Sequence, residues 1–280
     1  MSRMIKLGLD ARSRQPGANW QRRIRCCFYA YDGEMQKKVP TSEPVATGLE
    51  YLRLLLIGAS HVNVRSREYF KSSKDDCKMI GTGMSALYQA ATCHRKCYEG
   101  SHVFESICGR AYNLACGSFV LALDGLYDEA ASLIRSIGEI ANLVSLSAWD
   151  PQLFQQWLTS DEKTRKREFS PVKVRLALEA KKRPLVADEN WYSHLSEKFT
   201  HITPHTVPGM HDNPGHGFVG LVYQPEGLKF VLENLATVIG SLSMLVCKFA
   251  NFDDLFAELN TILDEMRGDS MRKSRGKPNL

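Results

Sequence analysis

Five of the eight histidines lie within a short stretch: His194, His201, His205, His211 and His216. On a helix, His194, Glu197 and His201 are spaced i, i+3 and i+7, which places them within about 60° of arc at 100° per residue. Two imidazoles and a carboxylate on one face suit zinc or another borderline metal. His205, His211 or His216 could fold back as a further ligand. The set His194, Glu197, His201 and His205 therefore defines one expected chemistry, a metal-dependent hydrolase. Its spacing is not the H-E-x-x-H of metalloproteases, whose two histidines are four apart. Histidines in a Gly/Pro-rich loop also serve as hydrogen-bonded surface groups.

Two other groupings carry chemical side chains. Cys93-x-x-x-Cys97 has His94 and His102 nearby, a donor set that zinc uses. The apolar pattern puts both thiols one turn apart on a helix, where two small apolar residues explain them. Arg135 and Glu139 stand i,i+4 on the helix that carries Ser132 and Asn142, opposite its apolar stripe. The plain reading is a solvated ion pair, although Arg before Glu is the less favourable order on an isolated helix. No P-loop, no G-x-G-x-x-G after a strand and no G-x-S-x-G elbow occurs.

The elements that position these groups read as helices. Helix-type spacing begins near Met79 with Met84, Leu87, Tyr88 and Ala91, and resumes over 101–123 with Ser101 as N-cap and Glu105 in the first turn. Leu126, Ala130, Leu133, Ile137, Ala141, Val144 and Ala148 step by threes and fours, giving one continuous core stripe. Asp150-Pro151 and Ser170-Pro171 each supply an N-cap and N1 proline for a further helix. Asp188 opens another with Trp191, Leu195, Phe199 and Ile202 on one face, ended by Pro204. Residues 203–224 form a long Gly/Pro/His-rich loop, with a short hairpin expected around Phe218 to Tyr223; loops of this length are often functional. Helices over 225–250 and 252–267 complete an all-α bundle of about seven helices.

Domain limits follow from texture. Residues 1–78 read as a basic, largely disordered extension with one short helix at 49–59 and a charged linker at 71–78. That stretch is either a loosely attached extension or in part foreign to the family core. Residues 79–268 form the bundle, and 269–280 a basic disordered tail. Of the net charge of +5, residues 1–25 hold +6 and 266–280 hold +4, so the body is mildly acidic at −5. Any nucleic-acid argument from basic charge applies to the ends alone. The 44% hydrophobic and 24% charged content fits an ordinary globular chain. No uninterrupted apolar run reaches the roughly 18 residues of a membrane span, and residues 1–25 lack a secretory h-region. A cytoplasmic protein with reduced thiols and no membrane contact is the expectation.

Two segments together carry a family resemblance: Ala130-Ala-Ser-Leu-Ile-Arg-Ser-Ile-Gly-Glu139 and Tyr192-Ser-His-Leu-Ser-Glu-Lys-Phe-Thr-His201. A helix reading A-x-x-L-x-R-S-x-x-E, followed by L-S-E-x-x-H, resembles a group of helical proteins related to the HEPN superfamily (higher eukaryotes and prokaryotes nucleotide-binding). It covers roughly residues 101 to 250. The resemblance implies a helical bundle that commonly dimerises. Many HEPN members are metal-independent ribonucleases of toxin or phage-defence systems, with an Arg four to six residues before a His on one helix. Here Glu197, Ser196, Leu195 and His194 precede His201 in that window, so the arginine would come from the neighbouring helix as Arg135. The implied ribonuclease would use His201 as general base on a ribose 2′-hydroxyl and Arg135 against the phosphorane charge, with Glu139 completing the site. The leading expectation is a HEPN-like module that binds a nucleotide, RNA or protein partner, without strong catalysis and with no cofactor favoured. In it Arg135, Glu139 and His201 face one another across two helices.

Overall fold

The computed structural model describes residues 30–32, 46–71, 73–98 and 102–275, the first three and the last seven by backbone alone. Its helices are α1 (Gly48–Phe70), α2 (Lys74–Ala91), α3 (Val103–Leu123), α4 (Tyr127–Trp149), α5 (Pro151–Thr159), α6 (Glu162–Glu168), α7 (Pro171–Ala180), α8 (Glu189–Leu195), α9 (Pro225–Ala250) and α10 (Asp253–Arg275). A π-helical turn, Ser196–Thr200, continues α8. The fold is all-α, as the periodicity predicts, with ten α-helices among the described residues rather than seven.

The bundle is built around α9, whose buried residues include Leu228, Leu232, Leu235, Ile239, Leu242 and Val246. α2, α3, α4 and α10 pack around it and share one apolar core. Glycine lets α2 and α9 approach closely: a Cβ on Gly83 would stand 2.5 Å from Ile239 Cγ2, and one on Gly240 would stand 2.7 Å from Met79 Sδ. A smaller cluster of Leu146, Val174 and Leu178 seats α7 against the end of α4. By length and composition α3 and α9 could each cross a membrane, because averaging over a window tolerates the polar residues that interrupt a run. In the bundle 61% of the apolar window of α9 is buried inside the protein, against 33% for α3.

Four expectations about the elements need correcting. The short helix expected at 49–59 is the 23-residue α1, because its second half finds partners: Val62 and Ser66 are buried, Asn63 Nδ2 donates to Asp124 Oδ1 at 3.1 Å, and Arg65 lies 4.2 Å over the Tyr223 ring. Of the expected linker at 71–78, residues 74–78 are the start of α2, with Ser73 Oγ donating to Asp76 Oδ2 at 2.8 Å. The last helix runs to Arg275 rather than to 267, so the tail expected at 269–280 is helical over its first seven residues. Finally, the only strand between 203 and 224 is β2 (His216–Phe218), and no hairpin forms there. It pairs antiparallel with β1 (Ala30–Asp32), in register Ala30↔Phe218, Tyr31↔Gly217 and Asp32↔His216. A partner more than 180 residues away leaves no local signal. The disordered character expected of 1–29, 33–45 and 276–280 lies outside the described residues, as does the expected N-cap Ser101.

The long loop is tied to the start of α4. The Asp128 carboxylate accepts from Gly209 N and from His211 Nε2, both at 2.8 Å. Gln224 Oε1 accepts from His211 N and Asp212 N at 3.2 Å each. Gln224 N donates to the Tyr127 hydroxyl, whose pKa burial pushes up to about 12.

Candidate functional site

The two motif segments meet. The outer face of α4 presents Ser132, Arg135, Gly138, Glu139 and Asn142, and residues 184–200 lie across it. Gly138 decides how closely. A Cβ there would stand 2.6 Å from the Trp191 ring and 2.9 Å from Ala187 Cβ, so only glycine lets Trp191 seat. The indole Nε1 then donates to Asn234 Oδ1 on α9 at 2.9 Å.

Around that contact Arg135 is directed at protein groups. Its Nε donates to Ser196 Oγ at 2.7 Å and its Nη2 to the Tyr192 hydroxyl. Nη2 also lies 3.1 Å from Glu139 Oε1, while Tyr192 OH donates to the same oxygen at 3.0 Å. The guanidinium carbon stands 4.4 Å over the Tyr192 ring. Burial first, and then the bond to Glu139, raise the phenol pKa of Tyr192. The Arg135 and Glu139 side chains are only 16% and 25% exposed, so this is no solvated pair on a free helix face.

The same face ties down the neighbouring backbone. Asn142 donates to Ala187 O at 2.8 Å and accepts from Val186 N and Ala187 N at 3.1 and 3.2 Å. Ser132 Oγ donates to Phe199 O at 2.7 Å. The space beside Glu139, Tyr192, Asn142 and Arg175 amounts to about 10 Å³, roughly one water molecule.

The histidines are placed differently from the sequence expectation. An α-helix over 188–203 would carry His194, Glu197 and His201 on one strip, but the π turn at 196–200 breaks the 3.6 period. His201 N donates to Ser196 O at 2.8 Å, five residues back, and His201 itself leaves the helix in an extended conformation with its side chain exposed. Among the described residues its side chain makes no hydrogen bond or ion pair with Arg135 or Glu139. The structure thus joins Arg135 and Glu139 to Tyr192 and Ser196 by hydrogen bonds, with none from either to His201. The expected metal set also fails to converge. His194 packs edge-on to Phe199 and Phe230, while Glu197, His201 and His205 are exposed.

His211, expected as a loop histidine free to ligate, is instead half-buried, with its side chain only 6% exposed. Its ring stacks on Phe199 at 5.8 Å and stands edge-on to Tyr127 at 5.5 Å, with Nε2 on Asp128. An ionised carboxylate only accepts, so Nε2 carries the proton. The sequence gives no sign of this pair, because Asp128 reads as an ordinary first-turn acid of α4.

Among the described residues, one group of metal-type donors does close on itself: Cys93, Cys97, His102 and Glu105. Apolar pattern puts the two thiols on a helix, yet α2 ends at Ala91 and both lie in the connection to α3. Glu105 does not announce itself as part of the set, since a glutamate in a first turn is explained by the helix dipole alone.

No family model matches this chain, and neither the curated proteins nor the solved structures include a match to it. The HEPN resemblance therefore rests on the two quoted segments.

Proposed function

We propose that this chain is a non-catalytic, cytoplasmic helical module of the HEPN type that works by binding protein, first of all a second copy of itself. The observation that carries this reading is the first half of α1. Leu49, Leu52 and Leu56 stand on one stripe and are 75%, 53% and 70% exposed, with Leu55, Ile57 and Tyr51 beside them. Only the second half of α1 enters the core. A row of exposed aliphatics on a helix held at one end is the kind of surface that protein contact covers.

Two further observations favour protein over nucleic acid and binding over catalysis. The body between the basic ends carries a net −5, which repels phosphate backbones. Arg135, the cation the ribonuclease reading requires, is directed at Ser196, Tyr192 and Glu139, so its donors are already engaged by protein groups.

Sedimentation velocity of the full chain over a range of concentrations tests the proposal, beside a Leu52→Glu/Leu56→Glu variant with an unchanged melting temperature. Dimerisation by the native chain and a monomeric variant are expected. A native chain that stays monomeric, or a variant that dimerises equally well, refutes it. Cleavage of labelled single-stranded RNA that survives EDTA and disappears in His201→Ala would move the assignment to the ribonuclease.

A further inference from the structure

We infer that Cys93, Cys97, His102 and Glu105 form a tetrahedral zinc site that closes the connection between α2 and α3. One donor atom from each residue lies within 4.8 Å of all the others. Zinc–ligand bonds of about 2.0–2.3 Å set the corners of a tetrahedron about 3.3–3.8 Å apart. Some pairs already stand at that spacing: His102 Nδ1 is 3.2 Å and Cys93 Sγ 3.6 Å from Glu105 Oε1. Side-chain rotation brings in the remainder, because Cys97 and His102 are exposed and Cys93 only half-buried.

The backbone around the donors is arranged for convergence. Cys93 and His102 adopt left-handed conformations, φ 52° and φ 50°, which residues with a Cβ rarely do. With the backbone turned in this way at both positions, donors 9 and 12 residues apart meet. Outside the donor set the connection is anchored to the α9–α10 corner. Arg95 pairs with both Asp254 oxygens at 2.5 and 2.8 Å, and Tyr98 OH donates to Ala250 O at 3.1 Å.

Glu105 is the second observation that points to a cation. It is 5% exposed, yet its near polar neighbours are two thiols, the Tyr98 N–H at 3.2 Å and the exposed imidazole of His102. Apart from the exposed His102 imidazole, a buried carboxylate beside two potential thiolates has no cationic side chain within these contacts, and a divalent ion supplies full positive charge.

Donor chemistry then selects the ion. Two soft thiolates exclude magnesium and calcium, while imidazole and carboxylate with four donors in tetrahedral reach favour zinc. Four protein ligands fill the shell, so the site is structural and has no open position for a hydrolytic water. His102 and Glu105 also line a cavity of about 320 Å³, and Cys97 and His102 are exposed, so the donor set is open to solvent. Binding deprotonates the two thiols and releases their protons to solvent.

The test uses the full chain, reduced, stripped with chelator and titrated with Co²⁺ as a spectroscopic stand-in. One equivalent should give a thiolate-to-cobalt charge-transfer band and the strong visible bands of tetrahedral Co²⁺, both abolished by one equivalent of Zn²⁺. Cys97→Ser, at an exposed position that leaves the fold intact by circular dichroism, should lose more affinity than the roughly 10–100-fold that an outer-shell change costs. Glu105→Gln should weaken binding as well, while Cys77→Ser should not change it. Weak octahedral spectra from the native chain overturn the site, as does unaltered cobalt binding by Cys97→Ser. A native chain that yields only a Cys93–Cys97 disulfide, and binds no cobalt once reduced, overturns it too.

Discussion

The outer face of α4 and the α2–α3 connection both gather groups capable of chemistry, and they differ in what those groups face. On α4, Arg135, Glu139, Asn142 and Ser132 address Ser196, Tyr192 and the backbone of residues 186–199. Each contact fixes one segment to another, and about 10 Å³ remains beside Glu139, Asn142 and Tyr192. In the α2–α3 connection, Cys93, Cys97, His102 and Glu105 address a common point. The first arrangement is what holding a fold together requires, and the second is what holding an ion requires. The recognisable motif thus marks an adhesive surface, and the donor set lies outside it.

The sharpest way to break this comparison is to remove adhesion from α4. Asn142 is buried and satisfies two amides and a carbonyl of residues 186–187. Asn142→Ala strands those groups and should cost about 3 kcal/mol in urea unfolding, given roughly 1–3 kcal/mol for each unsatisfied buried group and partial access of water. A cost below about 0.5 kcal/mol, the usual range for surface positions, would show that the segment is not held from here. Gly138→Ala comes next. Its Cβ would meet the Trp191 ring at 2.6 Å, and overpacking of this kind costs about 2 kcal/mol. Tryptophan fluorescence should shift as the indole leaves Asn234, and an unshifted spectrum would contradict the close approach.

How much of this is legible in the sequence depends on the range of the interaction. The stripe Ala130, Ile137, Ala141 and Val144 predicts α4 almost to its ends, because burial imposes a 3.6-residue period on neighbouring positions. The pairing of the two motif segments is visible as recurring residue types, but not its geometry. The π turn at 196–200 moves His201 off the face expected for it, and a one-residue widening leaves no mark in apolar spacing. The donor group is half legible. Cys93 and Cys97 stand out but fall in a helical pattern, because nothing in Thr92-Cys93-His94 announces the left-handed turn at Cys93. Glu105 reads as a first-turn acid, since burial is a tertiary property. The second half of α1 and the β1–β2 pair depend wholly on distant partners.

Metal loading sharpens the contrast with a smaller effect. Free zinc at about tenfold its dissociation constant should stabilise the folded chain by about 1.4 kcal/mol. Hydrogen exchange should slow across 92–105 and remain unchanged across 184–200. Equal slowing in both regions would mean that the two are one cooperative unit rather than two surfaces with different tasks.

The smallest effect concerns how the α2–α3 connection is moored from outside its donor group. Arg95 holds the Asp254 carboxyl down at about 2, below the ordinary aspartate value of 3.8. A depressed folded-state pKa stabilises the protein above the unfolded value, and that stabilisation disappears as pH falls through the folded value. The pair therefore contributes in full above roughly pH 4 and is lost between there and pH 2. Because Asp254 is exposed, screening keeps the contribution modest and added salt should reduce it further. Asp254→Asn should lower the melting temperature slightly at neutral pH, with the native and variant curves converging as pH approaches 2. A constant gap between the curves down to that pH would mean that the substitution costs stability through the first turn of α10 and not through Arg95, leaving Tyr98 and Ala250 as the mooring that matters.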